Sequence, residues 1–422
     1  MSRTAAPRRI LIATIGSLGD LHPCLGLALE LQRRGHTVTI AAAGFYRARI
    51  EALGLGFHAL RPNWDPTDGE MIAKCQDLKR GLEVLFRELI LPELRGTYED
   101  LLAAASDADL MLAGEMVFAA PLVAEKLGLR WASVILSPCS FLSAHDVSVL
   151  PNVPWLTHVR KAGWRAYRAV GNLLGLALRH WWKPVRELRR ELGLRERCDP
   201  VRQDKFSPNL VLALFSPLLA QPQPDWPAQT VQPGFVYYDR QDAGTEMPVE
   251  LAYFLAAGDA PIVFTQGSAA VHNPGDFYVT SSAAAKQLNC RAVLIGAAPE
   301  LSSQGILALP YAPYSQVFPH AAAIVHQGGS GTTGQALHSG RPMLIVPYGW
   351  DQPDNGARVE RLGAGISLPR SRYSVQTAAS ALRRLLDEPR FVEQATQTAM
   401  QMREEEGTAG ACDAIERVIA KD

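Results

Sequence analysis

Two short stretches carry the residues best suited to chemistry. GSLGDLHP, residues 16–23, ends a glycine loop on Asp20, and HQGGSGTTGQ, residues 326–335, crowds glycines and threonines between two apolar runs. A carboxylate at the mouth of a cleft can take the proton of an attacking hydroxyl, and a positioned base contributes about 10²- to 10⁴-fold. A loop leading from a strand into a helix presents unpaired N–H groups, where the helix dipole adds roughly half a positive charge, and such a terminus binds phosphate. Gly328, Gly329 and Gly331 allow close backbone approach there, and the Thr332 hydroxyl adds a donor. A developing negative charge on a diphosphate would be stabilised at that terminus, so the chemistry requires no metal. The one D-x-D, Asp107-Ala108-Asp109, precedes a strand instead of ending one and is a poor metal site.

Each feature also has a plainer reading. Asp20 can cap a helix, and the glycines can serve only a tight turn. Gly329, Gly331 and Gly334 also spell G-x-G-x-x-G after a strand, with Asp351 about 20 residues on, as in a dinucleotide site. That leaves an NAD-dependent oxidoreductase as an alternative, and a nonenzymatic nucleotide-sugar or lipid-binding protein on the same scaffold as another. Against the dinucleotide reading, the loop lies in the second half of the chain, His326 leads into it, and Gln352 directly follows Asp351.

The elements that must position these residues follow from periodicity. An apolar run at 9–15, a helical pattern at 22–34 closed by Gly35 and a second run at 36–42 form a β-α-β unit. Further runs at 108–113, 131–136 and 210–215 alternate with helical patterns, which predicts an α/β fold on a parallel sheet covered on both faces. The proline-rich stretch 226–248 reads as a linker between an N-terminal acceptor-binding domain, 1–225, and a C-terminal donor-binding domain, 249–422. After it the alternation restarts, so two similar domains are expected to face each other across a ligand-binding cleft.

Composition narrows the partners. Lys plus Arg and Asp plus Glu both number 42, so no global field recruits nucleic acid. The six cysteines are scattered without zinc spacing and read as reduced thiols of a cytoplasmic protein. The N-terminus makes a poor signal peptide, and no run reaches the ~18 apolar residues of a membrane span. Residues 155–197 depart from the balance, with eleven Lys or Arg against three Glu and four of the eight tryptophans. A basic, tryptophan-bearing helical stretch of this kind can make a peripheral contact with the inner face of a membrane, or its tryptophans can pack on the domain.

The motifs together carry a resemblance. HxGGxGTT followed by RPMLIVPYGWDQPDNGAR, with GSLGDLHP near the start, resembles the nucleotide-sugar glycosyltransferases of the GT-B fold, in the broad UDP-glycosyltransferase family. LSPCSFLSAH, VFTQGS and GDFY are similar to the B subunit of bacterial rhamnosyltransferases, and GSLGDLHP also to the sterol-glycosylating branch. The resemblance implies two facing Rossmann-like domains, and a nucleoside-diphosphate donor of the dTDP-rhamnose or UDP-glucose type. It implies an inverting transfer to a hydroxyl of a hydrophobic acceptor such as a lipid, a sterol or another natural product. His326, Gly328, Gly329, Gly331 and Thr332 would hold the diphosphate with Ser268 assisting. Asp351 and Gln352 would bind the sugar, and Tyr311 would stack on the base. Tyr314 stands where relatives usually have glutamine. Asp20 would be the base and His22 an acceptor-pocket residue. No cofactor or metal is expected.

Overall fold

The apolar runs become strands because each sheet is buried on both faces, where period-two alternation gives way to continuous Val, Ile and Leu. A computed structural model describes residues 7–196, 199–238 and 247–420. The first sheet contains β1 (Arg9–Ala13), β2 (Thr37–Ala42), β3 (Gly56–Ala59), β4 (Leu110–Gly114), β5 (Trp131–Ile135), β6 (Leu210–Ala213) and β7 (Thr230–Val231). Their order is β3-β2-β1-β4-β5-β6-β7, and every pairing is parallel. The second contains β8 (Ile262–Thr265), β9 (Ala292–Ile295), β10 (Ile306–Leu309), β11 (Ala323–His326), β12 (Met343–Ile345) and β13 (Gly365–Ser367). Its order is β10-β9-β8-β11-β12-β13, again parallel throughout. The two sheets with their flanking helices are two Rossmann-like domains.

Each sheet reverses its winding once. The switch lies between β1 and β4 in the first, where Ile10 pairs with Leu110, and between β8 and β11 in the second, where Val325 pairs with Phe264. In open sheets of this kind ligands bind outside the carboxyl ends of the strands at the switch point. The loop after β1 leads into the helical turn that carries Asp20, and the loop after β11 carries the glycine cluster. Topology therefore places both chemical motifs where a ligand is expected.

The first helix runs Leu18–Arg33, four residues earlier than the pattern predicts. Ser17 and Asp20 form a capping box, in which the Ser17 side chain accepts from Gly19 N–H while Asp20 accepts from the Ser17 N–H. Such a cap contributes about 1 kcal/mol, and it starts the helix ahead of Pro23, which sits inside it.

Two findings bear on how the halves join. The stretch expected as linker contains β7, an edge strand of the first sheet, and residues 239–246 of it lie outside the described residues. The final helix, Gly407–Ile419, follows the second sheet in sequence but packs on the first. Its Cys412, Ile415 and Val418 join the core of Leu21, Leu25 and Ile40. Arg34 meets Asp413 at 2.6 Å and Glu416 at 2.9 Å.

A buried polar cluster also spans the two domains. Arg358, only 1% exposed, meets Asp354 at 2.7 Å on its own helix. It also donates to Leu219 O at 3.0 Å and Ser148 Oγ at 3.1 Å, and pairs with Asp146 of the first domain. Asp354 in turn accepts from the Val149 N–H at 2.8 Å. No helix among the described residues is long and apolar enough to cross a membrane.

Candidate active site

The first wall of the cleft is built on the loops after β1 and β4. Gly16 has φ +144°, and a Cβ there would lie 2.2 Å from Asp20 Oδ2, so only glycine lets the chain fold back onto the carboxylate. Asp20 occupies the third helical position, and its Oδ2 accepts from the Ser17 N–H at 2.9 Å. The capping role is thus real. It does not hold the carboxyl ionised, however, because burial pushes its pKa from 3.8 up to about 7, and the negative charges of Glu115 and Asp351 add to the rise. Glu115 follows β4, where it accepts from Ser140 Oγ at 2.7 Å and pairs with Lys205 at 3.0 Å. Asp351 belongs to the second domain, so the carboxyl faces across the cleft. His22 lies on the same helix and meets the edge of the Tyr238 ring at 5.3 Å.

The opposite wall is the glycine loop after β11. The helix begins at Ser330, with Gly329 as N-cap and no side-chain cap. The Thr333 N–H makes the first intrahelical bond, to Gly329 O at 2.9 Å. The N–H groups before it have no intrahelical acceptor. Gly331 is exposed and a Cβ there would meet nothing within 4 Å, so the first turn opens onto free space. Thr332 is buried beside it.

His326 is turned away from that space. It is fully buried, its Nδ1 accepts from the Gly328 N–H at 3.0 Å, and its Nε2 lies 3.4 Å from Met343 Sδ. Burial pushes its pKa down to about 3, so the ring is neutral and shapes the loop through Gly328. Gly328 itself has φ +91°.

The next strand end, after β12, supplies Asp351 and Gln352. Asp351 Oδ2 accepts from Ser330 Oγ and from Asn355 Nδ2, both at 2.8 Å, and burial raises its pKa. Asn355 Nδ2 also donates to Gly328 O at 2.8 Å, which ties Asp351 to the glycine loop. Gln352 Oε1 accepts from the N–H groups of Tyr348 and Gly349 at 2.8 and 3.1 Å, so its carbonyl holds the loop that presents Asp351.

The ends of β8 and β10 complete the wall. Tyr311 follows β10 and is half-buried. Tyr314 turns inward, with its hydroxyl 2.6 Å from Thr265 Oγ1 and its ring stacked on Phe318 at 4.6 Å. Ser268 lies in the short helix after β8, and its side chain is outside the described residues. The structure therefore brings Asp20, Asp351 and the open helix terminus together. It leaves His326 and the Gln352 carbonyl as supports behind them.

A family model described as glycosyltransferase family 28 N-terminal domain matches residues 10–130. Another, described as erythromycin biosynthesis protein CIII-like, C-terminal domain, matches residues 298–414. The O-mycaminosyltylonolide 6-deoxyallosyltransferase of Streptomyces fradiae is 30% identical over 436 residues, covering 97% of each chain. The chain belongs to the GT-B glycosyltransferases. This transferase is also 27% identical to a sterol 3-beta-glucosyltransferase of Arabidopsis thaliana, covering 97% of its own length and 65% of the relative. Its fold matches that of the glycosyltransferase VinC, solved in complex with dTDP, with a TM-score of 0.69 at 19% identity over 98% of this chain and 100% of that one. Membership in this family replaces the oxidoreductase and nonenzymatic readings of the glycine loop.

Several supports of the transferase were not singled out by motif. Glu115 stands alone after an apolar run, with nothing in its neighbourhood to mark it. Ser330 and Asn355 could have been found, since Asn355 sits one helical turn from Asp351, a spacing that brings side chains together.

Proposed function

We propose that the transferase moves a sugar from a nucleoside-diphosphate donor, of the dTDP-rhamnose or UDP-glucose type, to a hydroxyl of a hydrophobic acceptor such as a lipid, sterol or other natural product. The observation that carries this reading is a buried carboxyl, Asp20, poised near pH 7 at the end of the first sheet, opposite an uncapped helix terminus at the end of the second. The acceptor oxygen attacks the anomeric carbon and its proton passes to Asp20. The bond from that carbon to the diphosphate breaks, and the electron pair leaves with the nucleoside diphosphate. The N–H groups of Ser330, Gly331 and Thr332 stabilise the charge that develops there, which is usually the largest catalytic contribution.

Several features support the details. Asp20 and the helix terminus lie on opposite walls, so attack comes from the face away from the leaving group and inverts the anomeric centre. With the diphosphate charge met by backbone donors, the arrangement calls for no metal. Ser330 and Asn355 fix the carboxylate of Asp351 to receive sugar hydroxyls, with Gln352 beside it. Tyr311, at the end of β10, is assigned to the base, and Ser268 to the diphosphate. His22 faces the acceptor. The names of the relatives, a deoxyallosyltransferase and a sterol glucosyltransferase, support a polycyclic or lipid-like acceptor, and the dTDP complex of a fold neighbour supports a thymidine donor.

The test is transfer from dTDP-rhamnose and UDP-glucose to a panel of hydroxylated lipids and sterols in the presence of a chelator. The expected product has the anomeric configuration opposite to the donor. A product that retains the configuration, or turnover abolished by the chelator and restored by a divalent metal, would overturn the reading.

A further inference from the structure

The exposed apolar surface of the helix Trp164–Leu178 lies outside the cleft, and its own helix sequence explains which side is buried. Tyr167, Val170 and Leu174 face the domain and pack with Ala144, Val147 and Leu156. The outer face carries Ala169, Leu173 and Leu176, and the two leucines are 66% and 63% exposed. Leucines at that exposure, one turn apart on a 15-residue helix about 22 Å long, form a stripe that nothing among the described residues covers.

The charges around this stripe have one sign. From 155 to 186 the chain holds seven Lys or Arg and no Asp or Glu. Arg160, Lys161 and Arg165 lie exposed before and at the start of the helix, and Arg179 and Lys183 lie exposed beyond its end. From neighbouring elements, Arg202 donates to Asn172 Oδ1 at 2.7 Å and adds a further cation. Among the described residues, acidic groups near these cations include Asp225, 3.4 Å from Arg168, Glu187, 3.5 Å from Lys183, and Asp199, which accepts from the Arg202 N–H. The tryptophans, which the sequence pointed to, mostly do not take part. Trp182 is buried against Phe86 and Phe118, and Trp164 stacks on His145. Trp155 alone stays open, at 49%.

We propose that this face docks on an anionic lipid surface, with Leu173 and Leu176 entering the acyl boundary and the flanking cations at phosphate level. An apolar stripe bracketed by basic residues has that complementarity. A second copy of the chain fits poorly, because a twofold contact through this helix would set Arg165 and Arg168 against Arg179 and Lys183. The helix packs on residues 144–159, and the Val149 N–H of that segment bonds to Asp354 of the second domain. Lipid docking would therefore set the bilayer beside the cleft. This surface does not depend on the roles assigned to Asp20 and the glycine loop.

The test is co-sedimentation of the full chain with phosphatidylcholine vesicles, with and without an equal share of phosphatidylglycerol. Wild type is expected to pellet with the mixed vesicles, to pellet less with phosphatidylcholine alone, and to be released by salt. Leu173→Gln with Leu176→Gln should lower the affinity on the order of tenfold or more while leaving circular dichroism unchanged, since both side chains are exposed. Arg160→Gln, Lys161→Gln and Arg165→Gln together should weaken binding to the mixed vesicles about a hundredfold. No pelleting, pelleting indifferent to phosphatidylglycerol, or a leucine variant that binds like wild type would overturn the proposal. So would a dimer by light scattering that the leucine variant disperses, which would assign the stripe to a second copy. Asp20→Asn should bind vesicles as wild type does, so loss of turnover and loss of docking are read separately.

Discussion

Replacing Asp20 by asparagine tests whether the cleft holds a carboxyl against its preference for water. Asparagine keeps an oxygen to accept the Ser17 N–H, so the capping geometry survives and only the titration is lost. The rise from 3.8 to about 7 corresponds to ~4 kcal/mol of charge burial, at ~1.4 kcal/mol per pKa unit. Asp20 is only half-buried by surface area, so water in the cleft screens part of that cost, and ~2 kcal/mol is the expected net effect. The sign follows from proton counting. Between about pH 4 and pH 7 the folded protein binds one more proton at this site than the unfolded chain, so wild-type stability falls as pH rises through that window. The variant lacks this fall. Urea unfolding of both proteins at pH values across the window should show the variant gaining ~2 kcal/mol relative to wild type, with the gain complete above about pH 7. A difference that does not change with pH, or one that favours wild type as pH rises, would refute the claim that Asp20 is strained by burial.

Other perturbations separate the walls of the cleft. Gly331→Ala puts a methyl into the open space at the helix terminus, where alanine is favoured over glycine by up to ~1 kcal/mol; thermal unfolding should show unchanged or raised stability while calorimetry shows dTDP or UDP affinity falling about tenfold, a factor worth ~1.4 kcal/mol. Gly16→Ala drives its Cβ into Asp20 Oδ2 and requires a strained φ, so it should cut turnover at saturating donor by about 10²-fold or more. Arg358→Ala leaves Asp354 and Asp146 without their buried cation and should destabilise the chain by ~3 kcal/mol or more in denaturant titration.

The parallel fold was legible because the central strands are buried on both faces. β1, β2, β4, β5, β6, β8, β9, β11 and β12 all coincide with apolar runs. The strands that escaped are short or lie toward the sheet edges: β3 is half-exposed, β7 has two residues, β10 is a four-residue edge strand, and β13 reads only Gly-Ile-Ser. The first helix starts earlier than its apolar periodicity shows, because the capping box of Ser17 and Asp20 begins it ahead of Pro23. Contacts between distant residues left no local pattern. Nothing near Arg34 announces Asp413, and nothing near Asp146 announces Arg358. Within the site, the motifs mark the loops that follow β1, β11 and β12 but not the direction of each side chain. His326 faces inward because the Gly328 N–H needs an acceptor in a buried turn, and a spacing of residue types does not carry that information.

The central claim is that Asp20 accepts the acceptor's proton while the helix terminus at Ser330 holds the departing diphosphate. Its most direct measurement is single-turnover transfer by Asp20→Asn beside wild type, with donor affinity measured by calorimetry on the same preparations. The account predicts an unchanged affinity for the nucleoside diphosphate and a rate lowered by about 10²-fold or more. A variant that transfers sugar at the wild-type rate, or one that loses donor binding in proportion to its rate, would contradict it.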